Sequence, residues 1–182
     1  MGMDDKVFRR INQLAGRYSV LDMLMILISK KARYVFMFVL IFMWFRNDAQ
    51  KKMTLNAVIS AAFTLFINTL IKCFYFKPRP FMERRVGILI PSKMDSSFLS
   101  KHTLLAFVVS TSIFLHKRIL GSVMLGLSLL TGFSRIWLGH HYPSDIIRSV
   151  FIGSLTSTIV DKFPGALKIM KRKIKVSSCS NI

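Results

Sequence analysis

Apolar residues fall into long runs along this chain, and cations gather between them. Near the start, Val7, Phe8, Ile11 and Leu14 recur at helical spacing, with Arg9, Arg10, Asn12, Gln13 and Arg17 on the opposite face. The pattern predicts an amphipathic helix over 4–17, either lying in a membrane interface or packed on the rest of the protein. Two apolar pieces follow, 19–29 and 34–45, separated by Lys30, Lys31 and Arg33. Neither piece alone covers a hydrocarbon core of ~30 Å at ~1.5 Å per residue. They are expected to form one span with a break or polar rim near Lys30–Arg33. Further apolar runs predict spans over 54–76, 102–115, 119–138 and 145–161. The expected fold is therefore all-α, a polytopic membrane helix bundle of about five transmembrane spans plus the N-terminal interfacial helix. Its parts are an amphipathic segment over 1–18, a membrane domain over 19–161 and a basic cytoplasmic tail over 162–182.

Composition supports this pattern. The chain has 182 residues, 27 Lys and Arg against 8 Asp and Glu, a net charge of +19, and 52% hydrophobic residues. Nucleic-acid-binding domains of this charge rarely carry five apolar runs, so no nucleic-acid partner is expected. Anionic lipid head groups, particularly at the tail, and phosphorylated substrates are the expected partners for the charge. Cys73 and Cys179 do not make a disulfide framework.

Counting spans places the long 77–101 connection and the 139–144 turn on one side of the membrane. The 46–53 loop, the 116–118 turn and the tail fall on the other. Three clusters of chemically capable residues then share one surface. The first is Lys72, Lys77 and Arg79, suited to phosphate oxygens but also to snorkelling at an interface. In the second, Ser100 is placed to cap the helix carrying Lys101 and His102, and a helix N-terminus attracts anions. The third joins Arg135 to the Gly139-His140-His141-Tyr142-Pro143-Ser144-Asp145 stretch. Asp145, four residues after His141, can accept a bond from one ring nitrogen and leave the other free to attack. Ionisable groups beside membrane spans by default suggest function.

Lys72-x6-Arg79-Pro80, Ser100-x-His102 and Ser134-Arg135-x5-His141-x3-Asp145 occur in this order. Together they resemble the three-part signature of the type-2 phosphatidic acid phosphatase superfamily, over about residues 55–160. With "YFKPRPF" and "TGFSRIWLGHHYPSD" the chain looks most like the bacitracin-resistance group of undecaprenyl-pyrophosphate phosphatases. The resemblance implies that His141 attacks phosphorus to form a phosphohistidine, Asp145 orients it, and His102 protonates the leaving group and then activates water. It implies that Lys72, Arg79, Ser100 and Arg135 hold phosphate oxygens, with no metal and no other cofactor. The second part departs from the family's usual Pro-Ser-Gly-His, reading Leu99-Ser100-Lys101-His102. Lys101 either adds charge for a diphosphate or crowds the site.

The implied reaction converts undecaprenyl diphosphate, a polyprenyl diphosphate lipid, to the monophosphate, recycling a cell-wall carrier lipid and giving bacitracin resistance. The implied location is a bacterial plasma membrane, multi-pass, with the site facing outward; the positive-inside rule alone does not fix that side. The alternatives are a phosphatidic acid or phosphatidylglycerol phosphate phosphatase of the same superfamily, or a non-catalytic lipid-binding membrane protein.

Overall fold

The computed structural model describes residues 2–83, Leu89 and 96–179, with side chains described as far as Phe163 except that of Glu83. Arg84, Arg85, Pro91 and Asp95 of the long connection, and the side chains of the tail beyond Phe163, lie outside the described residues. Seven helices run in the order α1 (Met3–Asn12), α2 (Ser19–Trp44), α3 (Asp48–Phe74), α4 (Pro80–Glu83), α5 (Lys101–His116), α6 (Arg118–Trp137) and α7 (Pro143–Cys179). The described residues contain no strand.

The expected break near Lys30–Arg33 is absent, because α2 is one continuous helix of 26 residues. None of Lys30, Lys31, Ala32 or Arg33 disfavours a helix. Ser29 and Ala32 are buried while Lys30, Lys31 and Arg33 stay exposed, so charge and continuity coexist. Tyr34 lies under the Arg33 guanidinium and near the Lys31 ammonium. The 46–53 loop is also shorter than expected. Asn47 accepts a bond from the Gln50 N–H, and this cap starts α3 at Asp48. At the far end, helical backbone continues to Cys179 through the segment expected as a tail.

α5 forms the centre of the bundle, against α6, α7 and α3. Leu104, Val108 and Ile113 on α5 are wholly buried. Hydroxyls also pair across the helices: Ser110 with Ser128 at 2.7 Å, Ser112 with Ser157 at 2.8 Å, and Thr111 with Ser154 at 3.2 Å. Close approach depends on small residues. A Cβ on Gly153 would lie 2.8 Å from the Leu104 carbonyl, and one on Gly121 would meet the Phe114 backbone at 2.2 Å.

The outside is strongly apolar, with Val20, Met23, Phe38, Phe66, Val123, Leu129, Ile147 and Phe151 all exposed. α3 and α6 are each long and apolar enough to cross a membrane. A bundle with hydroxyls inside and large apolar side chains outside is matched to lipid rather than to water.

Candidate active site

The turn between α6 and α7 has a defined local cause. Gly139 has φ +74°, a left-handed conformation that glycine adopts without strain, and it ends α6. The Gly139 N–H bonds the Ile136 carbonyl, and the His140 N–H bonds the Arg135 carbonyl. Pro143 then opens α7, where its missing N–H costs nothing. One side chain is thereby fixed on each flank of the turn, Arg135 before it and Asp145 after it.

His141 lies in this turn, buried at 2% exposure. Its Nδ1 is 3.2 Å from the Ser97 carbonyl and 3.2 Å from the Ser97 hydroxyl, but 3.9 Å from Asp145 Oδ2. The direct His141–Asp145 bond expected from their spacing is therefore replaced by a bridge. Ser97 Oγ donates to Asp145 Oδ2 at 2.7 Å, so it accepts from the imidazole. A carbonyl only accepts, so Nδ1 carries the proton and Nε2 keeps its lone pair.

Asp145 is completely buried and well bonded. Its Oδ2 also accepts the Tyr142 N–H at 3.0 Å, and its Oδ1 meets Lys77 Nζ at 2.5 Å and Arg148 Nη1 at 3.4 Å. Lys77 thus serves the carboxylate. It is also 3.9 Å from Asp4 of α1, whose carboxylate accepts the Ser144 N–H and hydroxyl at the α7 N-terminus. α1 is seated there by Phe8, packed on the Tyr142 ring, and by Asn12, which donates to the Trp137 carbonyl. The N-terminal helix therefore braces this end of the bundle, while Val7 and Leu14 remain exposed.

Arg79 and Arg135 are both buried. Arg79 Nη1 approaches the His140 carbonyl at 3.4 Å, and Arg135 Nη1 donates to Ser29 Oγ of α2 at 2.7 Å. His141 lies well below the usual imidazole range, first because burial disfavours its charged form, then because Arg79 and Arg135 repel a second cation. At neutral pH the ring is uncharged.

His102 is half-buried in the first turn of α5, and the charges of Arg135, Arg33, Arg79 and Lys101 act on its ring. Ser100 occupies the N-cap position but its hydroxyl makes no cap bond. It accepts from Thr103 Oγ1 instead, while its own N–H goes to Ser149 Oγ. Lys72 is half-buried in the last turn of α3. Lys101 is exposed, beside His102 at the mouth of a cavity.

One end of the bundle thus holds a neutral imidazole with a fixed tautomer, two buried guanidiniums and a second histidine. The PAP2 superfamily model matches residues 53–168. The chain belongs to the PAP2 superfamily. It is 37% identical to the undecaprenyl-diphosphatase BcrC of Bacillus subtilis (strain 168) over 167 residues, covering 91% of this chain and 86% of that protein. It is 31% identical to the bacitracin transport permease protein BcrC of Bacillus licheniformis over 155 residues, 84% of this chain and 76% of that one. The crystal structure of Aquifex aeolicus LpxE superposes with a TM-score of 0.78 at 26% identity, over 89% of this chain and 96% of that one.

Within this PAP2-superfamily site, the sequence gives no role to Ser97 or Ser29, and Lys77, expected beside phosphate oxygens, is paired with the Asp145 carboxylate. Ser97 belongs to the Ser97-Phe98-Leu99-Ser100 run, but its pairing is with residues 44 and 48 positions away. Two backbone links set that pairing: the Ser97 N–H to the Lys77 carbonyl at 2.7 Å, and the Lys77 N–H to Ser96 Oγ at 3.2 Å. Nothing local to Ser97 distinguishes it from its neighbours.

Proposed function

We propose that this PAP2-superfamily phosphatase hydrolyses undecaprenyl diphosphate to undecaprenyl phosphate and inorganic phosphate, from within a bacterial plasma membrane. The similarity to an undecaprenyl-diphosphatase over 91% of the chain supports the substrate. The observation that carries the mechanism is the Ser97 bridge, which accepts from Nδ1–H of His141, keeps the proton on that nitrogen and leaves Nε2 available.

In the proposed reaction, Nε2 attacks the terminal phosphorus. A P–N bond forms as the bond from phosphorus to the bridging oxygen breaks. Arg79 and Arg135, with Lys72 and Ser100, hold the non-bridging oxygens, because positioning and charge stabilisation provide most of the catalysis in phosphoryl transfer. With the diphosphate bound, its negative charge offsets the cations around His102, and the protonated ring gives its proton to the departing lipid phosphate. Neutral His102 then takes a proton from water, which attacks the phosphohistidine. Phosphate leaves and His141 is restored. The Asp145 carboxylate, held by Lys77 and Ser97, favours the charge that develops on the imidazole as it attacks.

The protein is read as crossing the membrane five times, through α2, α3, α5, α6 and the first part of α7, with the site facing outward. The apolar exterior supports this reading. Single cysteines at Met82 and at Asn47, in a Cys73→Ser, Cys179→Ser background, test it in intact cells. An impermeant thiol reagent should label position 82 and spare position 47; the reverse pattern puts the site inside. For the substrate, detergent-purified protein is assayed on undecaprenyl diphosphate, phosphatidic acid and phosphatidylglycerol phosphate. The diphosphate should give the highest kcat/KM, and a monoester turned over equally well refutes the substrate choice.

A further inference from the structure

We propose that Arg33 and Lys101 grip the lipid-side phosphate of a diphosphate, and that the groove running from them along α2 takes the beginning of its isoprenoid chain. The inference rests on the diphosphatase reading above and adds a specificity device to it.

A cavity of about 320 Å³ opens between α2 and α5. Its polar end carries Ser29, His102, Arg33 and Lys101. Ser29 is the residue that receives Arg135, so the cavity joins the phosphate site directly. Arg33 follows Ser29 by four residues, one helical turn or about 6 Å along α2. Arg33 thus lines the cavity one turn beyond Ser29, the residue that Arg135 reaches from α6, and His102 lines it from α5. Lys101 stands on the opposite wall, at the start of α5.

Below the cations the lining turns apolar, with Phe36, Leu105 and Val109. A second cavity of about 420 Å³ shares Met37 and Leu40 with the first and extends to Trp44 and Val58. From Ser29 to Trp44 this path follows about 22 Å of helix, much of a hydrocarbon thickness of ~30 Å. The combination fits one occupant: an anionic head at the polar end and a long hydrocarbon below.

Two features make Arg33 and Lys101 specific to a second phosphate. An arginine on a lipid-facing helix is costly unless it has a partner. The bonded neighbour of Arg33 is neutral: it donates to the Tyr34 hydroxyl at 2.9 Å, which steadies the guanidinium while its charge persists. Lys101 occupies the position where the superfamily signature carries glycine. Its side chain is exposed at the cavity mouth, so the site is charged rather than crowded by it. A monophosphate has its one phosphate at Arg79 and Arg135 and nothing for this second pair to hold.

The test uses detergent-purified full-length protein and two lipids of the same isoprenoid chain, the diphosphate and the monophosphate. Arg33→Gln and Lys101→Gly should each lower the diphosphate-to-monophosphate ratio of kcat/KM by about 10-fold, the value of one charge-assisted hydrogen bond. Met37→Trp, at a partly exposed groove position, should raise KM for a long-chain diphosphate but not for a short-chain one. An unchanged ratio in both charge variants overturns the phosphate assignment, and equal KM effects on both chain lengths overturn the groove. A wild-type protein inactive on the diphosphate but active on monophosphates overturns the substrate reading itself. That result is distinguishable, because the failure then precedes any variant.

Discussion

The bundle carries a His–Asp pair at each end, and they differ in nearly everything but composition. At one end His141 and Asp145 are buried, bridged by Ser97 and surrounded by Arg79, Arg135 and Lys77. At the other end His116 Nε2 meets Asp161 Oδ1 at 3.4 Å directly, with Asn56 donating to the same carboxylate at 3.2 Å. The His116 side chain is 42% exposed, and its Nδ1 lies against the Ser112 carbonyl of its own helix. Direct contact is thus better at the second pair, yet it joins helix ends and presents no buried guanidinium. An imidazole beside a carboxylate is a common structural tie. Burial, a fixed tautomer and converging cations set the first pair apart, and on them rests the proposal that it carries phosphoryl transfer.

The sharpest way to break this contrast is truncation of each histidine. His141→Ala should lower kcat by at least about 10⁴-fold, as removal of a nucleophile does in a catalytic triad. Phosphate release in detergent reads it, and activity surviving in this variant removes His141 as nucleophile. Asp145→Asn should come next, with a loss of roughly 10²- to 10⁴-fold at nearly unchanged KM, because the developing imidazolium loses its counter-charge. Ser97→Ala should cost about 10- to 100-fold in kcat, from loss of the hydroxyl bond to a buried carboxylate. Ser97→Thr should recover part of it, and a Ser97→Ala enzyme of full activity would show that the backbone carbonyl alone orients the ring.

The pH profile sharpens the comparison further. Burial and the two arginines hold the folded His141 below ~6.5, the usual imidazole value. Its neutral form therefore persists as pH falls through that value, and the acid limb of kcat/KM belonging to His141 should lie lower. Arg79→Gln removes one repelling charge and should move the limb upward. A limb that stays fixed assigns the titration to another group. The smallest effect belongs to His116→Ala. Even a fully charged exposed pair contributes only about 0–1 kcal/mol, so activity should change less than about two-fold and thermal stability only slightly.

Several features follow from local sequence. Apolar runs of helical length give the helices, and the absence of helix-breaking residues between Ser29 and Tyr34 explains why α2 continues where cations suggested a break. The i, i+4 spacing of His141 and Asp145 places them on one turn, with Gly139 and Pro143 shaping it. Within the Arg135–Asp145 stretch the spacing is short and set by one turn, whereas only the packing of helices brings Arg79 and His102 near it. The helix-capping bond expected of Ser100 is replaced by a local one: its hydroxyl accepts from Thr103 Oγ1 one turn on, while its backbone N–H is tied to Ser149 of α7.

The chain's own pattern thus determines an all-helical bundle matched to lipid and the order of the residues that can handle phosphate. Only the tertiary structure decides that Ser97 stands between His141 and Asp145, that Lys77 serves the carboxylate, that Ser29 receives Arg135, and that Asp4 of α1 closes the start of α7. These pairs are separated by 44 to 140 positions. A serine or lysine has the same local propensity whichever partner it meets, so such pairings are chosen by how helices pack and by the need to satisfy every buried polar group.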